Sequence, residues 1–303
     1  MEGTKIKRKR FRIEELIFYC LLLAWPVAQF CVFYIGVNAQ SIMLSFMKYE
    51  YDIVNRTYSY SWAGFANFLE LFETFKINPD FPGMLKNSFL SFAIGLIIGT
   101  PSNFIISYYL FRKMWGTKVF KILFILPGIV SGMTICILFR LLVGVALPAT
   151  LGITNLINNY QTSLGTCIFF AQWINFGSSY LIYVGTMGDI SDSLLESARL
   201  DGCSYWKELW FIVFPMLWPT FSTFFVGGLT GFFTASPFLF EFYEFKADTR
   251  IQTLGYYLFK ETKMAGPERY PFVSCFGLLL TMVCIPVVLG TRWAMNKFGP
   301  SKE

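Results

Sequence analysis

The 303-residue chain has no histidine, and only 15% of its residues are charged. The first absence excludes imidazole metal ligands, imidazole proton relays and a Ser-His triad. There is also no Gly-x-x-x-x-Gly-Lys-Ser/Thr loop, so the chain lacks the phosphate cradle with which it would hydrolyse ATP itself. No pair of carboxylates lies within an apolar run, which leaves no evident proton- or sodium-coupled relay. Seven cysteines are present without a Cys-x-x-Cys spacing. All but Cys203 fall in apolar runs, as expected of small packing residues rather than ligands or disulfides. No metal site is expected.

What remains is apolar: 55% hydrophobic residues, 19% aromatic, mean hydropathy +0.52. This is the composition of an integral membrane protein. In a soluble protein the net charge of +6 would hint at nucleic acid; here basic loops on the cytoplasmic side of a membrane explain it better. Lipid is therefore the expected surroundings, with no nucleic-acid partner.

Six apolar runs are long enough to cross a bilayer, at about 16–37, 89–110, 122–143, 166–187, 210–234 and 271–291. The first follows a basic cluster, residues 5–12 (KIKRKRFR), and is too long for a signal peptide, so it reads as a retained helix anchored by that cluster. With the N-terminus inside, fifteen of the 25 basic residues fall in cytoplasmic segments, Arg112, Arg199, Lys207 and Lys302 among them, and nine fall outside. Arg140 is the remaining one, near a span end where it can snorkel. Both termini and the loop after the fourth run are thus expected in the cytosol.

That loop, residues 193–219, is an amphipathic interruption in the apolar chain. Ser193-x-x-Glu196 has capping-box spacing and predicts a helix starting at Ser193. Leu194, Leu195, Ala198 and Leu200 supply its apolar face, and Gly202 suits its C-terminus. Ser204 or Asp201 can cap a second helix that leads into the membrane.

The residues Glu196-Ser197-Ala198, Asp201-Gly202, Ile212 and Phe214-Pro215 resemble the EAA loop of ABC importer permeases, in the sugar branch that includes the maltose permeases. Ser197 replaces an alanine and Phe214 a leucine. Asp201-Gly202-Cys203-Ser204-x-Trp206 is similar to that branch's own Asp-Gly-Ala-Ser-x-Trp. Further likenesses follow in order: Leu44-Ser45-Phe46, Trp62-x-Gly64-x-x-Asn67-Phe68, Lys86-Asn87-Ser88, Leu126-Pro127 through Ser131, Gly152-x-x-Asn155, and Thr253-Leu254-x-x-Tyr257. One departure is Glu244-Phe245-Lys246, where the family often has Thr-x-Gly-Gly-Pro.

The resemblance implies an all-α membrane protein with the six transmembrane helices of the type I ABC importer permease fold and a cytoplasmic coupling helix. It divides the chain into a cytoplasmic segment 1–15, a permease domain 16–295 with its coupling loop at about 189–209, and a tail 296–303. It implies import of a sugar or oligosaccharide through a bacterial plasma membrane. The implied partners are a second related permease, a cytosolic ATPase dimer that binds ATP and Mg, and an extracellular solute-binding lipoprotein; this chain would hold no cofactor and be no enzyme. Glu196, Ser197, Ala198, Asp201, Gly202 and Pro215 would serve ATPase coupling.

The fourth run is unusually polar, and polar groups in hydrocarbon face a bundle interior or a cavity. Asn103, Tyr108, Gln172, Trp173, Asn175, Ser179, Tyr180 and Phe232 are the candidate path residues, since aromatic faces with amide and hydroxyl groups suit sugars. A non-sugar solute remains an alternative cargo, and a secondary transporter an alternative class.

Overall fold

The computed structural model describes residues 13–264 and 266–300. The basic cluster at 5–12 and Lys302 lie outside the described residues. Among those described, six helices are long and apolar enough to cross a membrane: Ile13–Ser45, Phe81–Phe111, Gly132–Leu151, Tyr160–Met187, Tyr205–Thr234 and Pro267–Phe298. These are spans one to six, and the chain is a multi-pass membrane protein.

The boundaries differ from the sequence expectation in two instructive places. Span one does not stop near residue 37 but continues to Ser45. The expected third run, 122–143, is two helices, Thr117–Ile129 and the span starting at Gly132. Pro127 cannot donate a backbone hydrogen bond, and Val130 and Ser131 adopt extended backbone that ends the first helix. The Leu-Pro-x-x-x-Ser motif is therefore a helix break rather than the start of a span.

Three spans widen into π-helical turns, at Ile94–Gly99, Leu142–Ala146 and Leu209–Val213. Each is followed by a helical segment whose second residue is a proline: Pro101, Pro148 and Pro215. A proline ring clashes with the carbonyl four residues earlier, here that of Ile97, Gly144 or Phe211. All three carbonyls sit inside the widened turns, which relieve the clash without breaking the span. A fourth widened turn, Phe30–Gly36, has no proline after it.

The chain divides into two compact units. One holds the described residues of Met1–Leu71 together with Gly266–Leu278. It contains an antiparallel hairpin that the sequence reading missed, β1 (Met47–Asp52) with β2 (Thr57–Trp62), registered from Met47 opposite Trp62 to Asp52 opposite Thr57. The period-two alternation of Tyr49, Tyr51, Tyr58 and Tyr60 with polar residues is its signal; register puts all four rings on one face. In the turn, the Asp52 carboxylate accepts from the side chain and backbone of Asn55 and the backbone of Val54, which holds its pKa below the ordinary value.

The same unit shows why two of its motifs occur together. Span one ends at Leu44-Ser45-Phe46, where the last carbonyls lack helical partners. The side-chain amide of Asn67, from the Trp62 motif, donates to the carbonyls of Ser45 (2.8 Å) and Met47 (2.7 Å). Phe46 packs against Trp62, Phe65 and Phe68 of that motif.

The other unit, the described residues of Phe72–Ala265 with Leu279–Glu303, has the same device. Asn87 donates to the carbonyls of Arg250 (2.8 Å) and Gln252 (2.9 Å), and the Ser88 hydroxyl accepts from the Leu254 amide at 2.8 Å. Thr253 donates to the carbonyl of Ala235. Asn155 donates to the carbonyl of Gly144, the one whose ladder partner is displaced by Pro148. Its side-chain Oδ1 accepts from the backbone amides of Ile157 and Asn158. These motif residues are clamps that satisfy backbone groups at helix ends and kinks. Arg140 also binds backbone, donating to the Phe242 carbonyl at 3.3 Å.

Candidate functional site

Within the second unit, spans two, four and five border a cleft of about 550 Å³. Its polar lining is Ser91, Thr100 and Asn103 from span two, Gln172, Asn175, Ser178 and Ser179 from span four, Thr223 from span five, and Ser236 just after it. Phe92, Phe224 and Phe238 add ring surface, and no charged residue among those described lines it. Gln172, Asn175 and Ser179 fall at i, i+3 and i+7, which is one face of a helix. Asn103 Nδ2 donates to Ser179 Oγ at 3.5 Å, and Ser179 donates back to the Asn175 carbonyl at 3.2 Å.

Small residues hold the walls at this separation. Gln172 lies against the backbone at Gly95 and Gly99: a Cβ on Gly95 would come within 3.2 Å of its amide nitrogen, and one on Gly99 would collide with its amide oxygen. A Cβ on Gly228 of span five would sit 2.9 Å from Leu96. Amide and hydroxyl groups beside ring faces can hold a neutral, hydroxyl-rich solute by hydrogen bonding and stacking.

Four of the eight expected path residues, Asn103, Gln172, Asn175 and Ser179, meet in this cleft. The other four lie elsewhere. Trp173 packs on the neighbouring apolar core, and its indole N–H donates to the Leu123 carbonyl at 3.0 Å, the carbonyl that Pro127 leaves without its ladder partner. Tyr180 is buried against Leu110 and Phe176. Phe232 packs edge-on to Phe89 and Phe92. The Tyr108 hydroxyl donates to Glu208 Oε1 at 2.9 Å, with the Tyr205 carbonyl a second acceptor at 3.2 Å. Ser91, Thr100, Thr223 and Ser236 were missed, and Ser178 was left out of the eight. Ser178 adjoins Ser179 and shares its polar cluster. A single hydroxyl such as Ser91 in an apolar run looks the same as Ser88, which bonds its own helix at the Met84 carbonyl.

The loop between spans four and five carries the second candidate site. Its helix is Asp192–Leu200 and starts earlier than the capping-box spacing implies: Ser191 is the N-cap, with extended backbone, and its carbonyl accepts from Leu194 and Leu195. The C-terminus is a Schellman turn. Gly202 N–H bonds to Arg199, Cys203 N–H bonds to Ala198, and Gly202 has φ +75°. Ser204 Oγ accepts from Lys207 N–H and caps the start of span five. Leu195 alone of this helix is fully buried, in a core with Tyr108, Tyr183 and Leu209. Glu196, Ser197, Asp201 and Gly202 are exposed and Ala198 is half-buried. Leu200 (89%) and Trp206 (64%) are left bare nearby. Pro215 lies apart, half-buried after the widened turn of span five.

Six spans, a polar cleft bordered by three of them and an amphipathic loop helix make an arrangement similar to that of membrane transport permeases. No family model matches the chain. It is 28% identical over 222 residues to the probable ABC transporter permease protein YesP of Bacillus subtilis, covering 70% of this chain and 69% of that one. It is 26% identical over 189 residues to the multiple sugar-binding transport system permease protein MsmF of Streptococcus mutans, covering 58% of this chain and 63% of that one. Its fold matches a chain of a bacterial alginate ABC transporter, solved with an alginate pentasaccharide-bound periplasmic protein, at TM-score 0.74, with 16% identity over 96% of this chain and 98% of that one. The chain is thus similar in sequence to permease subunits of sugar ABC transporters, and in fold to a subunit of one.

Proposed function

We propose that the chain is one membrane subunit of an ATP-driven, binding-protein-dependent importer that carries a sugar or oligosaccharide into the cell. The observation that carries this reading is the uncharged cleft, where eight amide or hydroxyl side chains from three spans stand beside aromatic rings. A phosphate ester would favour a cation in such a lining and a polyamine a carboxylate, and the cleft offers neither. The similarity to MsmF, a multiple sugar-binding transport system permease, supports the same cargo class.

In this reading the loop helix Asp192–Leu200 is a cytosolic coupling helix. Its exposed Glu196 and Ser197, with Asp201 and Gly202 at its end, meet a separate ATPase dimer that binds ATP and Mg. Both termini are cytoplasmic. A second permease completes the path, and a solute-binding lipoprotein delivers cargo from outside. Ring closure by that second permease supplies the rest of the cleft wall, and motion of the coupling helices opens the cleft to one side at a time. Pro215 contributes by shaping the start of span five rather than by contact.

The test is co-purification of the tagged chain in mild detergent from its native host, read by mass spectrometry. Recovery of a second six-span permease, an ATPase and a binding lipoprotein that binds sugars supports the assignment. Recovery of the chain alone, active in liposomes without ATP, overturns it.

A further inference from the structure

Arg112, counted above among the loop cations, is buried in an ion pair. Its Nη2 lies 3.0 Å from Oε2 of Glu208, with the two side chains 5% and 1% exposed. Glu208 Oε1 accepts from the Tyr108 hydroxyl at 2.9 Å. Both carboxylate oxygens are thus held from one helix. Tyr108 and Arg112 stand four residues apart at the end of span two and project on the same side. The guanidinium also lies over the Tyr205 ring, 5.4 Å from its centroid.

Tyr205 and Glu208 belong to the first turn of span five, which follows the loop helix after Asp201, Gly202, Cys203 and Ser204. The anchor of that helix, Leu195, shares an apolar core with Tyr108 and Leu209. The loop helix, the start of span five and the end of span two therefore pack as one block. Asn103 in the cleft lies nine residues up span two from Arg112, about 14 Å along a helix.

We propose that Tyr108, Arg112 and Glu208 form a clasp that locks the start of span five to the end of span two, so that displacement of the loop helix is delivered to span two and thence to the cleft. The proposal rests on the importer reading above. Apolar contacts alone let two helices slide or rotate past each other. A carboxylate gripped at both oxygens by two groups of one helix fixes both rotation and height. A buried carboxylate and guanidinium are costly to hold in a membrane protein, which suits a positioning role better than a packing one. The three are positioning residues; none lines the cleft.

The experiment compares reconstituted complexes of wild type, Glu208→Gln and Tyr108→Phe, together with their partner subunits, and reads solute imported per ATP hydrolysed in assembled complex only. Glu208→Gln keeps the shape but removes the charge; the ratio is expected to fall at least tenfold while hydrolysis stays within about threefold of wild type. Tyr108→Phe keeps the ion pair and the ring packing, so it assembles even if the first variant does not, and the ratio is expected to fall about threefold. A loss of assembled complex with an unchanged ratio would assign the cluster to stability and overturn the clasp. So would wild-type ratios in both variants. A wild-type complex that shows no ATP-dependent uptake of any sugar would instead sink the importer reading and leave the clasp without a function.

Discussion

Trp173 and Asn175 are two residues apart in span four and do different jobs. Trp173 donates to the Leu123 carbonyl that Pro127 leaves without its ladder partner, whereas Asn175 is exposed to the cleft. Trp173→Phe keeps most of the ring but leaves that carbonyl unpaired, at a cost of about 1–3 kcal/mol. The expected result is a lower thermal midpoint for the detergent-purified protein, with the affinity for cargo unchanged in the folded fraction. Asn175→Ala should do the reverse: an unchanged midpoint and a fall in uptake of tenfold or more. If Trp173→Phe alters uptake and not stability, the tryptophan belongs to the path after all. The sequence displayed Trp173 and Asn175 with equal weight because both are polar groups in one apolar run. Only the third dimension shows that one faces a proline-broken neighbour and the other a cavity. The partner of Tyr108 was hidden for the same reason, since Glu208 is a hundred residues away in sequence.

Among the elements, the loop helix was the most legible. Glu196, Gly202 and Ser204 identified its face, its end and the start of span five, and the Schellman turn and serine cap fall where the residue types require. Its beginning was misread because Ser193 has a glutamate at the right spacing while Ser191 supplies the extended backbone. Gly202→Ala forces a Cβ into a left-handed conformation, at a cost of about 1–2 kcal/mol, and should loosen the helix end; amide hydrogen exchange at Gly202 and Cys203 is expected to speed up. Glu196→Lys should leave membrane insertion and stability intact but abolish ATP-driven uptake, because this carboxylate is exposed and bonds nothing within the loop helix. Normal uptake in that variant would remove the loop helix from the coupling contact.

The connecting loops were less legible, because their long-range clamps leave only isolated Asn, Ser and Thr residues in sequence. The turn at Asp248–Ile251 is one case. Arg250 donates to Asp248 from both side chain and backbone and holds its carboxyl down to about 2, below the ordinary 3.8. The folded form binds its proton less readily than the unfolded one, so this contribution is present above about pH 4 and lost as pH falls toward 2. The turn's amides should keep their protection down to about pH 4 and lose it below, whereas Arg250→Ala should lower protection already at neutral pH.

For the whole molecule, hydropathy gave the number of spans and the motifs gave the family likeness, because span length and loop chemistry are local properties. The hairpin, the separation of Thr117–Ile129 from span three and the makeup of the cleft required the fold. The interlocking of Leu44-Ser45-Phe46 with Asn67, and of Asn87 and Ser88 with the 250–254 segment, explains why scattered motifs occur as a set. Asn67→Ala would leave the end of span one uncapped, and the hairpin is expected to become sensitive to protease while the second unit keeps its protection.

The central claim is that this chain forms part of a path through which ATP hydrolysis in a partner drives a neutral saccharide inward. The most direct measurement is uptake of radiolabelled oligosaccharide into proteoliposomes by the co-purified complex, with binding protein added outside and ATP trapped within. Uptake that requires both ATP and binding protein, and that falls tenfold or more with Asn175→Ala, is the predicted result. Uptake that proceeds equally without ATP, or that ignores changes to the cleft, would contradict the account.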